Sequence, residues 1–396
     1  MNRRPLPLIL AGVVLLALNL RPAAASVGPM LPEIIRGMHL SHWQAALLVA
    51  LPALAFACLS AMGPAMARRF GVHRATLLSV FAIAIGLFAR SLADGAWDFL
   101  ALSALALGGM AAASVLLPTL VMLHFPERLG TLAAPYSRLL AIGFGAAAVF
   151  TVPIAHSDGG WRTGLAFWGA LAVIAAIPWL GLIRHDLVLA PIPRTITLVQ
   201  MIRTPSCRKL SALYSLQLLQ IWTAIGWFPT LWRQHGYHAS SAGILLGVVA
   251  VCGLPFTLWW PAVVSAHHDP RRLQLLVGCC YPLGVALLLI APRAAAVPAA
   301  VLLGIAAISF PMSLTLVGRH ARSRDAALSL AGVAQAVGYL AAGIGIFGFG
   351  LLHLELGSWG WPLALLLILA LPIPVLSARA STAASVEEQL SSPVSA

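Results

Sequence analysis

Twelve stretches of about 20 mostly apolar residues follow one another along this 396-residue chain, each long enough to cross the hydrocarbon core of a bilayer as a helix. They fall near residues 6–28, 43–67, 74–93, 97–121, 131–154 and 161–183. After a polar interval they resume near 210–232, 241–264, 273–291, 296–318, 327–350 and 359–379. The chain is expected to be an all-α integral membrane protein, with twelve transmembrane helices in two six-helix bundles. Only 9% of its residues are charged, against about 25% for soluble domains, and its mean hydropathy is +0.93. A soluble domain with a large core is excluded.

The basic residues set the orientation. Seventeen of the 24 lysines and arginines, among them Arg68, Arg69, Arg74, Arg203, Arg208, Lys209, Arg271 and Arg272, fall on the side of both termini. Five, Arg36, Arg90, Arg162, Arg233 and Arg293, fall on the opposite side, and Arg21 and Arg138 lie inside apolar runs. This is the positive-inside pattern, so both termini are expected in the cytoplasm and the protein in a bacterial inner membrane. The net charge of +13 is therefore a topology signal, and nucleic acid is not an expected partner.

The first run imitates a secretory signal, with Arg3 and Arg4 ahead of it and Ala23-Ala24-Ala25 as a cleavage site. Arg21 just before the cut is unfavourable, and cleavage would leave an odd number of spans, so the run is read as a retained first helix. Residues 184–209, with Pro191, Pro193 and Pro205, form a cytoplasmic central loop between an N-terminal bundle (1–183) and a C-terminal bundle (210–379). Residues 380–396 are expected to be a disordered cytoplasmic tail. The halves repeat weakly, Ile142-Gly143-Phe144 in helix five corresponding to Val337-Gly338-Tyr339 in helix eleven, 195 residues on. The five cysteines, Cys58, Cys207, Cys252, Cys279 and Cys280, have no metal-ligand spacing and read as apolar filling. No metal or cofactor is implied, and a monomer is expected.

Leu18-Asn19-Leu20-Arg21-Pro22 places a guanidinium about fifteen residues into helix one. An arginine at the bilayer centre costs about 3 kcal/mol on insertion scales, so its default reading is functional. The eleven acidic residues, Glu33, Asp94, Asp98, Glu127, Asp158, Asp186, Asp269, Asp325, Glu355, Glu387 and Glu388, all fall in loops, at helix ends or in the tail. A second arginine, Arg138, lies about eight residues into helix five. Two deep arginines with no carboxylate at their depth suggest a site that is positive when empty, and the planar guanidinium fork suits a carboxylate-like or cyanate-like anion. The competing structural readings are a tie from Arg21 to backbone carbonyls at a break made by Pro22, and snorkelling of Arg138 to the membrane surface.

Further candidates for solute contact are Asn19, Tyr214 and Gln217 in helices one and seven, Gln335 and Tyr339 as an i,i+4 pair in helix eleven, and Trp222, with Trp227, Tyr136 and Ser114 weaker. Histidines, His73, His124 and His320 among them, cluster at helix ends and read as solvated. Coupling through an intramembrane carboxylate is disfavoured, which leaves anion exchange, uniport or a proton carried on the solute itself.

The basic loop between helices two and three reads Pro64-Ala65-Met66-Ala67-Arg68-Arg69-Phe70-Gly71. With twelve spans and a long central loop, it resembles the corresponding loop of the major facilitator superfamily. Arg68 stands where that family places an aspartate and Pro64 where it places a glycine. His267-His268-Asp269-Pro270-Arg271-Arg272 occupies the equivalent loop of the second half. The resemblance implies a gating role for Arg68, Arg69, Asp269 and Arg271. Leu20-Arg21-Pro22, Val115-Leu116-Leu117-Pro118, Ala134-Pro135-Tyr136-Ser137, Gly226-Trp227-Phe228-Pro229 and Ala334-Gln335-Ala336-Val337-Gly338-Tyr339 are similar to the cyanate and 2-nitroimidazole transporter branch. That resemblance implies the major facilitator fold and secondary transport of a small solute.

The function expected is alternating-access transport of a small anionic or polar solute, by two bundles rocking about a site between helices one, five, seven and eleven. Export of neutral heteroaromatic compounds is the alternative. A membrane-embedded enzyme is a weaker one, since the spans hold no paired carboxylates, no metal-spaced cluster and no nucleophile beside a base.

Overall fold

The computed structural model describes residues 6–125, 129–157, 159–186, 188, 196–256, 270–380 and 385–391. Helices occupy all twelve apolar runs. The first is broken into Leu6–Asn19, Pro22–Ala25 and Val27–Gly37, and the second into His42–Leu59 and Met62–Phe70. Helices three to six run Val72–Leu92, Ala96–His124, Leu129–His156 and Gly160–Leu182. Helices seven to nine are Pro205–Gln234, Ala239–Cys252 and Arg271–Ile290. The tenth is Ala296–Ala306 with Ser309–Thr315, the eleventh Arg324–Leu356, and the twelfth Gly360–Ala370 with Ile373–Arg379. This is an all-α membrane fold.

Eleven of these are long and apolar enough to cross a membrane. Helix seven, 30 residues long, is the more polar one. Its Gln217, Gln220, Thr223 and Thr230 are all buried, so its polarity faces protein. On other helices Ile85, Ile177, Leu276, Ile344 and Ile368 are exposed. Apolar outside and polar inside is the arrangement a bilayer demands, since lipid gives no hydrophobic drive between helices and small or polar groups must hold them together.

Two compact units emerge. The first comprises Met1–Pro191 with Ile225–Val251, and the second Ile192–Ala224 with Cys252–Ala396. In the first unit, helix one lies against helix six through Gly12 and Trp179. Pro22 has no amide, so it cannot serve the Leu18 carbonyl four residues back. Gly143 of helix five packs on that carbonyl oxygen, and a methyl there would collide with it. In the second unit, Gly338 of helix eleven does the same to helix seven, where a methyl would lie 2.8 Å from Tyr214 Cβ. The two glycines are the 195-residue repeat partners noted in the sequence.

Gly143→Ala is expected to cost about 1–3 kcal/mol by overpacking, read as a lower thermal midpoint in detergent. Gly348→Ala, at a position with open space around it, should leave the midpoint unchanged.

Candidate functional site

The break in helix one puts Leu20 and Arg21 in a turn. The Arg21 carbonyl accepts the amides of Ala24 at 3.2 Å and Ala25 at 3.0 Å, starting the next helical piece. Its side chain is half-buried, with the guanidinium carbon 5.9 Å from the centroid of the Phe56 ring in helix two, within cation–π range. Asn19 is buried, and its Nδ2 donates to the Leu15 carbonyl at 2.9 Å, so its donor is committed to its own helix. Arg138 is exposed. Tyr136 lies among residues whose side chains are not described.

Sequence reasoning misplaced Arg90. Counted among the residues of the outer side, it is fully buried in helix three. Its Nη1 donates to the Ala23 carbonyl at 3.4 Å and its Nη2 to Ser26 Oγ at 3.3 Å. One carbonyl just after Pro22, that of Ala23, is tied down by an arginine, and that arginine is Arg90. A basic residue at the end of an apolar run gives no sign of whether it snorkels outward or turns in.

In the second unit, Gln217 is fully buried. Its Nε2 donates to Ser313 Oγ and Ser377 Oγ, both at 3.3 Å, tying helix seven to helices ten and twelve. Gln220 Nε2 donates to the Leu366 carbonyl at 2.8 Å. The structure brings Tyr214 and Tyr339 together through a residue the sequence did not mark. Phe310 stands edge-on to Tyr214 at 5.1 Å and to Tyr339 at 6.4 Å between ring centroids. One phenylalanine in an apolar run carries no signal of its own. The Tyr214 hydroxyl and Gln217 Oε1 are buried with no hydrogen-bond partner among the described residues. Gln335 is half-buried on the same helix as Tyr339, and Trp222 is buried.

At the other end of helix one, Arg233 of helix seven embraces Glu33. Nη1 donates to Glu33 Oε2 at 2.7 Å and to the Pro29 carbonyl at 2.9 Å, and Nη2 donates to Glu33 Oε1. Gly28 sits against the Ile225 carbonyl so closely that no side chain fits. All of these residues belong to the first unit, and they close helix one against helix seven. The sequence placed both charges on the outer side without pairing them.

The loop between helices two and three also has a partner that sequence spacing hides. Gly71, at φ +96, lets the Asp186 carboxylate lie against it and cap helix three. Oδ1 accepts the His73 amide at 2.9 Å and Oδ2 the Arg74 amide at 3.1 Å. An acid from beyond helix six thus caps this loop, in a chain with Arg68 at the family's aspartate position. His73 is buried, not solvated, and its Nε2 lies 2.9 Å from His124 Nε2. Arg68 and Arg69 are exposed, as is Arg271, while Asp269 lies outside the described residues.

The tail departs from the expectation of disorder over its described part. Val386–Ser391 is helical, and Glu387 accepts the amides of Arg322 and Ser323 at 3.0 and 2.9 Å. Glu388 pairs with Arg322, and Gln389 Nε2 donates to Ser206 Oγ at 2.7 Å. His320, expected to be solvated, is buried, with Nε2 2.6 Å from the Ala380 carbonyl. The tail helix therefore clips the starts of helices seven and eleven. A carboxylate that satisfies two free amides at a helix start has reason to order.

The sequence matches the Major Facilitator Superfamily over residues 9–343. It is 29% identical to the 2-nitroimidazole transporter of Escherichia coli over 347 residues, covering 87% of this chain and 88% of that protein. It is 27% identical over 343 residues to the cyanate transport protein CynX of Escherichia coli, covering 86% and 88%. An uncharacterized transporter, YycB of Bacillus subtilis, is 29% identical over 346 residues, covering 85% and 84%. Among solved structures, the nucleoside transporter NupG superposes with a TM-score of 0.79 at 12% identity, over 95% of this chain and 100% of that one. The D-xylose–proton symporter gives 0.68 at 18%, over 96% and 99%. The molecule is a multi-pass membrane transporter and not an enzyme. It belongs to the Major Facilitator Superfamily.

Two outcomes follow from these contacts. Burial holds the pKa of His320 below its ordinary 6.5, against the Ala380 carbonyl, which raises it. Glu387, although burial raises its pKa, is held below 4.5 by the Arg322 and Ser323 amides. Both depressed groups stabilise the clip above their ordinary values and lose that contribution as pH falls through the folded ones. Protection of the amides of residues 385–391, taken relative to intrinsic exchange at each pH, should therefore fall below about pH 6.5 and again below about pH 4.5, and stay unchanged from pH 7 to 9. Separately, Glu33→Gln is expected to free helix one from Arg233. Labelling of a cysteine placed at Val27 by a membrane-impermeant maleimide should rise several-fold, and unchanged labelling would count against a latch.

Proposed function

We propose that the transported solute is a small anion or polar molecule, cyanate-like or small carboxylate-like, and that Arg21 is its principal contact. One observation carries this reading. Pro22 interrupts helix one deep in the apolar run and leaves Arg21 half-buried in the turn, where a guanidinium fork can offer two parallel donors to one anion. Arg138, exposed on helix five, supplies a second positive charge. Asn19 is a weaker candidate than its position suggested, because its amide serves Leu15. Gln217 offers Oε1 and Tyr214 its hydroxyl, with Gln335, Tyr339 and Trp222 alongside in the same unit.

The cycle is alternating access. Release of the Glu33–Arg233 pair and the Gly28–Ile225 contact opens helix one from helix seven on one side. The solute drives the change by binding one state better than the other. Arg68, Arg69, Arg271 and Asp269 gate the opposite side. The protein works as a monomer in the bacterial inner membrane with both termini cytoplasmic. Its two bundles are residues 1–183 and 210–379, and any coupled proton travels on the solute.

A second reading has its own observation. The Tyr214–Phe310–Tyr339 ladder is a surface for aromatic stacking and favours export of neutral heteroaromatics, as the name of the 2-nitroimidazole transporter suggests for that relative.

Proteoliposomes tested with cyanate, small carboxylates and 2-nitroimidazole, with pH and membrane potential clamped, separate the two. Arg21→Lys keeps the charge and loses the fork, and Arg21→Ala loses both. Each is expected to lower anion transport at least tenfold, with folding preserved. Wild-type anion rates in both variants would sink the reading. Potential-independent movement of 2-nitroimidazole, lost in Phe310→Ala and kept in Arg21→Lys, would establish the second.

A further inference from the structure

We propose that Arg90 is a positioning residue, which holds the interrupted middle of helix one in the shape that presents Arg21. The proposal rests on the reading of Arg21 as a solute contact, and the experiment below separates the two.

Helix one is interrupted twice within eight residues, after Asn19 and at Ser26, leaving Pro22–Ala25 as a piece of four residues. Such a piece is too short to satisfy its own backbone, and at this depth lipid offers no replacement. The guanidinium of Arg90 reaches the second residue of the piece and the residue that follows the piece. Nη1 takes the Ala23 carbonyl and Nη2 takes Ser26 Oγ, at the junction with the next helical piece. A fully buried guanidinium is costly to desolvate, so its retention needs an account. Bridging the short piece to the Ser26 junction with two arms is one that a shorter or single-headed side chain would not meet.

The arginine is itself anchored. Arg162, at the start of helix six, donates from Nη1 to the Ser91 and Ala93 carbonyls, each at 2.8 Å. It thereby fixes the end of helix three that carries Arg90. Arg162 packs on the Trp161 ring at 4.8 Å. Two arginines in series thus run from helix six through helix three to the break. Arg90 Nε has no hydrogen-bond partner among the described residues. The side chain is therefore held through its two terminal nitrogens alone, and removing either contact should be felt at the break.

The test is hydrogen–deuterium exchange on the full-length protein in lipid nanodiscs, with no solute required. In Arg90→Met, peptides covering Leu15–Val27 should exchange on the order of tenfold faster, while those from helices three and six stay at wild-type rates. Arg90→Lys, which restores one arm, should fall between. Ser26→Ala, which removes one acceptor and keeps the arginine, should raise exchange in the same peptides by a few-fold, and it reports even if Arg90→Met fails to fold. Unchanged exchange over Leu15–Val27 in Ser26→Ala and Arg90→Lys, or a rise spread evenly over the first unit, overturns the proposal. Wild-type anion transport in both Arg21→Lys and Arg21→Ala, with locally raised exchange in Arg90→Met, would sink the solute site and leave the positioning role standing.

Discussion

A helix that breaks inside a bilayer leaves carbonyls that lipid cannot hydrate, and this protein breaks its first helix inside an apolar run, at Leu20 and Arg21. Pro22 removes the amide that would serve Leu18, and the four-residue piece it starts is joined to the next at Ser26. Much of the first unit is arranged about that defect. Gly143 brings helix five onto the Leu18 carbonyl, Arg90 reaches the Ala23 carbonyl and Ser26, and Arg162 steadies Arg90 through the end of helix three. The defect is what puts a guanidinium, Arg21, in a turn instead of on a regular helical face.

The helices were legible because lipid imposes long apolar runs, and each of the twelve runs became helical. The breaks were less so. Pro22 gave warning of the first, whereas Pro118 and Pro229 sit inside unbroken helices four and seven. A membrane helix can keep its course around a proline when its neighbours satisfy the freed carbonyl.

At the site, legibility followed contrast. A charge in an apolar run is conspicuous, so Arg21 and Arg138 stood out, as did Gln217 of helix seven, while Gln220 beside it did not. Phe310 had no contrast with its surroundings, and Arg90 sat where basic residues ordinarily mark a membrane surface. Asp186 was invisible for another reason. Its partners, His73 and Arg74, lie 113 and 112 residues away in sequence, and only folding brings helix six's end to helix three's start. Asn19 shows the converse. A polar residue at the right depth can spend its donor on its own turn.

Gly143 and Gly338 occupy repeat-related positions in the two halves of the chain. Helix five rests on Leu18 and helix eleven on Tyr214, so positions separated by 195 residues, give or take one, meet comparable neighbours. The molecule thus repeats one helix crossing in each half. The same crossing is lined in one copy by an arginine-bearing turn and in the other by an unbroken helix with tyrosine and glutamine. What the two halves share is the glycine crossing, and where they differ, at Arg21 against Gln217, the carrier is chemically asymmetric.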